Sequence, residues 1–245
     1  MCTVTYIPRQ AGNFMLTSNR DEQASRSPQQ LTQVEQNGQQ LVFPRDTAAG
    51  GTWIASSDAN RVVCLLNGAF EAHDRKPPYR RSRGLMLLDF FSFKKTGDFF
   101  RNYLFHGMEA FTMIIVERGQ LWEFRWDEKQ QFITQLDEEK PHIWSSATLY
   151  NANVRQKRQQ WFDDWIKENR IFNPENILHF HKTAGDGDPW NDVVMNRNDV
   201  VQTVSITRIL KLADRIDTMY YELLTNQVRT AEILLQRELV VSAED

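Results

Sequence analysis

Residues 62–66 read Val-Val-Cys-Leu-Leu, an apolar run bounded by Arg61 on one side and Asn67-Gly68 on the other. It is too short for an ordinary helix and lacks the polar alternation of a strand with one wet face, so it reads as a strand buried on both faces. Such a strand must be covered on both sides. Similar β-rich runs surround it. "TVTYI" (3–7) and "FMLTS" (14–18) flank "PRQAGN", whose Pro, Gly and Asn predict a hairpin, and "QQLVFPRD" and "GTWIASS" precede the 62–66 run. Gly50-Gly51 and Asp58-Ala59-Asn60 supply the turns between them.

After the basic, proline-broken loop "RKPPYRRSR" (75–83), "GLMLLDFFSF" and "GDFFRNYLFHG" read as helices. "AFTMIIVERG", "LWEFRWDE" and "HIWSSA" return to strand character. "NVRQKRQQWFDDWIKENR" is an amphipathic helix in which Trp161/Trp165 and Phe162/Ile166 pair at i,i+4, so its aromatic run belongs to a core. "NPENILHFHK" opens a further helix, with Asn173 as N-cap and Pro174 at N1. "VVQTVSITRI" and "IDTMYYELLT" finish as strands about an Ala213-Asp214 turn. There are no repeats and no linker. Strands, then helices, then strands again predict a single α+β domain over 1–245, with antiparallel sheets covered by helices.

The 245 residues are 41% apolar and 11% aromatic, enough for a substantial core. A formal net charge of −3 provides no whole-molecule field toward nucleic acid or anionic lipid. Two cysteines, Cys2 and Cys64, make no disulfide framework, and Cys64 inside its apolar run reads as an inert core thiol. No apolar run approaches the ~20 residues of a membrane span, and the first thirty residues lack a secretory pattern. The expectation is a cytoplasmic protein with no cofactor, no metal and no nucleic-acid partner. His179 and His181 stand two apart on a helix and face different ways, so they share no metal. "GDGDPWND" (185–192) lacks the glycine and glutamate spacing of a calcium loop and reads as a surface turn. The 75–83 loop, with five Arg/Lys and one aromatic, reads as a solvated rim placed to meet an anionic substrate.

The chemistry lies at the start. If Met1 is removed, Cys2 carries both a nucleophile and a base: α-amino groups titrate near ~7.7–8.0 and thiols near ~8.5, so the amine takes the thiol proton near neutrality. The predicted hairpin brings Asn19-Arg20-Asp21-Glu22 back beside Cys2. There a guanidinium lowers a thiol pKa and holds an anionic group, and a carboxylate orients an amine.

"MCTVTYIP…FMLTSNRDE" resembles the NRDE-motif proteins, the family of Transport and Golgi organisation protein 2 and its bacterial relatives. "GGTWIA" from Gly50, "LLNG" from Leu65, "RSRGLMLLDF" from Arg81, "SSATLYN" up to Asn151 and "MNRNDVVQTVSIT" from Met195 extend the likeness to residue 207. The resemblance implies a four-layer αββα, N-terminal-nucleophile hydrolase-like fold, related to penicillin V acylases and conjugated-bile-salt hydrolases. It assigns attack on a carbonyl to Cys2, places Arg20 and Asp21 near its sulfur and amine (Glu22 being the other candidate acid), makes Asn67 an oxyanion donor, gives Asn151 a positioning role and makes Arg197 the late arginine of the site. The implied function is hydrolysis of a small non-peptide amide through an acyl-enzyme on Cys2. The alternative is a non-catalytic handler that binds a lipid, acyl-CoA or haem-like ligand in the same pocket.

Overall fold

The computed structural model describes residues 3–27, 30–169 and 171–236. A first hairpin joins β1 (Thr3–Arg9) to β2 (Asn13–Glu22) through a turn in which Ala11 and Gly12 adopt positive φ. Two further hairpin strands, β3 (Leu31–Gln36) and β4 (Gln39–Pro44), lead to β5 (Ile54–Ser57) and β6 (Arg61–Asn67). Helices α1 (Arg83–Phe90) and α2 (Thr96–Asn102) follow. The chain returns to strands in β7 (Phe111–Glu117), β8 (Gln120–Trp126), β9 (Gln131–Leu136) and β10 (His142–Ser145). Helices α3 (Ala152–Glu168) and α4 (Pro174–Thr183) precede β11 (Asn196–Arg197), β12 (Val201–Lys211), β13 (Arg215–Glu222) and β14 (Gln227–Leu234).

Every strand pairing among the described residues is antiparallel, in two sheets. One runs β3-β4-β5-β6-β7-β8-β9, in chain order. The other runs β10-β1-β2-β12-β13-β14, with β11 on β12, and so is assembled from the two halves of the sequence. Their inner faces share one core that includes Val4, Tyr6, Leu16 and Ile209 from the second sheet and Val62, Cys64 and Ile114 from the first. Met86, Phe90 and Phe99 extend that core into the α1/α2 layer. A separate cluster of Ile7, Met15, Phe162, Ile177, Phe180 and Leu210 seals α3 and α4 on the far face of the second sheet. The layers are therefore α1/α2, sheet, sheet, α3/α4, as expected. Each fully buried Phe or Leu of this kind contributes about 1.5–3 kcal/mol.

Several details follow the sequence closely. β6 is buried on both faces up to Asn67. Asn173 caps α4, accepting from the Asn176 N–H at 2.8 Å with Pro174 in the first turn. Others differ. The 97–107 helix stops at Asn102, and the polar strands β3, β9 and β14 are additional. The strand read over 14–18 runs on to Glu22, so the Asn19–Glu22 motif is the end of β2 itself.

Candidate functional site

Because β2 stays extended through Glu22, its side chains alternate between faces, and the four motif residues divide two and two. Asn19 and Asp21 face the helical layer. Asn19 Nδ2 donates to the carbonyls of His181 and Val193 at 3.0 and 3.1 Å, and its Oδ1 meets His181 Nδ1. The other ring nitrogen of His181 meets Thr5 Oγ1 at 2.7 Å. Burial, with Arg158 nearby, pushes His181 down to about 3, so the ring is neutral. Asp21 is buried and accepts from Tyr150 Oη and Thr203 Oγ1, both at 2.6 Å.

Arg20 and Glu22 face the other way, into a cleft of about 760 Å³. The Arg20 guanidinium is fixed on three sides. It reaches Asp46 Oδ2 at 2.5 Å and the Arg26 carbonyl at 2.6 Å, and lies 4.0 Å over the Trp53 ring. Burial lowers its pKa from the ordinary value, and Asp46 and Glu22 oppose that. Burial alone would raise Asp46, but the Ala49 N–H and the two arginines hold it below the usual carboxylate range. Arg26 closes the set, 2.6 Å from both Glu22 Oε2 and Asp46 Oδ2.

The remaining walls come from the other quoted segments, each locked to a partner. Gly51 lies so close to α1 that an added Cβ would sit 2.5 Å from the Gly84 carbonyl carbon. That contact docks the Gly50–Trp53 segment on the start of α1, which Ser82 caps through the Leu85 N–H. Gly68 (φ +81°) lies against the loop before α3, and an added Cβ there would meet Thr148 Cγ2 at 2.9 Å. Ser146 Oγ donates to the Asn67 carbonyl at 2.9 Å across the same junction. The basic loop forms the rim, as expected: Arg75, Pro77, Tyr79, Arg81 and Arg83 line the cleft together with Glu109.

Of the residues assigned from sequence, Arg20 and Asn67 share the cleft. The Asn67 side-chain amide makes no hydrogen bond among the described residues. Asp21 does not line the cleft; Glu22, the other candidate acid, does. Asn151 is exposed as the N-cap of α3, its Oδ1 held by the Val154 N–H at 3.0 Å. Arg197 is half-buried outside the lining and donates to the Leu149 and Trp190 carbonyls, which braces the loop that carries Tyr150. Cys2 lies outside the described residues. Thr3, one residue on, pairs with Asn19 across β1/β2. Cys64 is fully buried, its thiol pushed up to about 12 by burial, so it is no nucleophile.

Sequence reasoning did not single out Asp46, Tyr150, Thr203 or Glu109. Asp46 carried one usable signal, an acid shortly before Gly50-Gly51. Its Oδ1 accepts the Ala48 and Ala49 N–H groups at 3.0 and 2.9 Å, which shapes the turn while Oδ2 serves the arginines.

Among the described residues no group of three or more His, Cys, Asp or Glu is placed to hold a metal ion, and no helix is long and apolar enough to cross a membrane.

The fold is shared with solved structures of low sequence identity. An N-acylethanolamine-hydrolyzing acid amidase ortholog from Caenorhabditis elegans matches with a TM-score of 0.57 at 12% identity, over 85% of this chain and 92% of that one. An arginine-to-leucine variant of conjugated bile acid hydrolase from Clostridium perfringens matches with a TM-score of 0.61 at 9% identity, over 98% of this chain and 100% of that one. A cysteine-to-alanine mutant of the same hydrolase gives 0.60 at 9% identity, over 97% of each chain. These likenesses establish the N-terminal-nucleophile hydrolase fold. No curated protein sequence matches the chain. The family model for Transport and Golgi organisation 2 matches residues 1–219, and the chain belongs to that family.

Proposed function

We propose that the protein is an N-terminal-cysteine hydrolase of a small, non-peptide amide, with Cys2 as nucleophile once Met1 is removed. The observation that carries this reading is the pairing of Thr3 with Asn19. That pairing sets the start of β1 beside the motif of β2, whose two-residue period puts Asn19 and Arg20 on opposite faces, and the reading takes Cys2 to act on the Arg20 face. In this reading the α-amine takes the Cys2 thiol proton and the thiolate adds to the amide carbonyl. The oxyanion is met by the unspent Nδ2 of Asn67. The intermediate collapses to a thioester as the α-ammonium returns its proton to the departing amine; water then attacks the thioester carbonyl with the free α-amine as base, and the C–S bond breaks as the Cys2 sulfur takes that proton back, which releases the carboxylic acid.

Arg20 is the fixed cation of the cleft, and its hold on Asp46 and Trp53 keeps it from folding onto the substrate. Asp21, bonded from behind by Tyr150 and Thr203, is a buried carboxylate suited to orienting the α-ammonium. Arg197 acts through the Leu149 carbonyl and Asn151 through the start of α3. Both support the loop that presents Tyr150. The relatives named above, an acid amidase and a bile acid hydrolase, both act on amides or conjugates by their names, which agrees with this assignment.

Intact mass with an electrophilic β-lactam tests it. Mature wild type gains one adduct, located on Cys2, while Cys2→Ala gains none; no adduct in wild type lacking Met1 overturns the nucleophile. Asn67→Ala lowers the acylation rate by about 10²–10³-fold, the cost of losing one oxyanion donor.

A further inference from the structure

The cleft is lined by five arginines, and they are not equally satisfied. Arg20 and Arg26 are matched by Asp46 and Glu22 at 2.5–2.6 Å. Arg81 makes a two-point contact with Asp89, Nε to Oδ2 at 2.5 Å and Nη2 to Oδ1 at 2.6 Å. Arg75 and Arg83 differ. Arg75 Nε at 3.2 Å and Arg83 Nη1 at 3.3 Å both point at one oxygen, Glu109 Oε1. His73 Nε2 reaches for the same atom at 3.5 Å, and lies 3.7 Å from Glu128. A well-made charge-assisted bond is about 2.7–2.9 Å. Three donors on one oxygen leave each short of that, and among the described residues only Nη1 of Arg83 is engaged, with Glu109 and with the Ala110 carbonyl at 2.9 Å. Both nitrogens of the His73 ring are buried without a hydrogen-bond partner among the described residues. Burial lowers the Arg83 pKa, and Glu109 opposes that.

We propose that Arg75 and Arg83 form an anion subsite at the rim of the cleft, which binds a terminal oxyanion, carboxylate or phosphate, at one end of the substrate. Arg83 is largely buried and anchors the anion. Arg75, with its side chain 70% exposed, closes over it from solvent. The planar guanidinium forks suit either oxyanion. The subsite deepens the amide-hydrolase reading and rests on it for the substrate's amide. On this account the acceptable amides carry a charged terminal group.

Calorimetric binding to full-length Cys2→Ala protein, in which acylation is blocked, tests the subsite with three probes: N-octanoylglycine, N-octanoyl-O-phosphoethanolamine and the neutral N-octanoylglycinamide. At least one anionic probe binds about tenfold or more tightly than the neutral one, and the comparison of the two anions identifies the preferred oxyanion. Arg75→Gln, at an exposed position that spares the fold, abolishes most of that preference; Arg83→Gln abolishes it and Arg83→Lys restores part. Equal binding of all three, binding of none, or a preference that survives both glutamine substitutions overturns the subsite. Turnover by wild type separates the two proposals. Cleavage without charge preference leaves the hydrolase and removes the subsite, whereas Arg83-dependent binding without Cys2 chemistry does the reverse.

Discussion

At the scale of single residues, Asn19 shows what the motif's first position does. Its amide clasps the His181 carbonyl and ring together, which ties β2 to α4, and Thr5 and Arg158 complete the surroundings of the ring. The histidine is held neutral, and that has a sign. Unfolded, it titrates near ~6.5; folded, near 3. Between those values the unfolded chain binds the extra proton, so stability falls as pH drops through 6.5 toward 3 and is fully present above 6.5. Urea denaturation between pH 7 and 5 should cost wild type about 2 kcal/mol more than His181→Gln, from a slope of about 1.4 kcal/mol per pH unit. Equal pH slopes in the two proteins would show that the ring protonates in place. Asn19 and Arg20 were readable as polar residues with a purpose, but their division of labour was not. Adjacent letters on a strand serve opposite faces, and the pattern gave no reason to expect the strand to run on to Glu22.

At the scale of elements, the quoted segments turn out to be paired surfaces. The Gly51–Gly84 contact leaves no room for a methyl group. Gly51→Ala should therefore cost about 1–3 kcal/mol in chemical denaturation by overpacking. It should also slow Cys2 acylation, because Gly51–Trp53 and the start of α1 both line the cleft. Gly119→Ala is the control. That residue has φ +80° with nothing within 4 Å, so the change costs about 1–2 kcal/mol in backbone strain and leaves acylation unaltered. Acylation unaffected in both variants would detach the glycine contact from the site. The core strands and helices were legible because their apolar period is strong, as in β6, α3 and α4. β3, β9 and β14 were not, because LTQVEQ, QFITQL and QVRTAEIL are half-exposed strands rich in Gln, Glu and Thr. β3, β9 and β14 are held by the neighbour they pair with, an effect with no local signature. α2 ends early for a similar reason: Tyr103 and Phe105 turn back to pack on Phe99.

At the scale of the whole molecule, one sheet follows the chain while the other is split between its two halves. β2 sits between β1, its hairpin partner, and β12, and these inner strands are flanked by β10 on one side and β13-β14 on the other. Amide hydrogen exchange should be slowest in β2 and β12 and fastest in the edge strands β9 and β14. Equal protection at the edges would mean that something covers them in solution. The site's long-range partners were illegible for the same topological reason. Asp21 meets Tyr150 across 129 residues of sequence and Thr203 across 182, and no window of sequence contains such pairs. That separation also sets a schedule for synthesis. Ribosomes add about 5–20 residues per second, so the strand bearing Asp21 emerges roughly 10–40 s before Thr203 exists to complete its surroundings. Throughout that interval the nascent polypeptide has its first hairpin but lacks the neighbour that finishes the sheet around it, and the buried Asp21 carboxylate gains its last partner only late in translation.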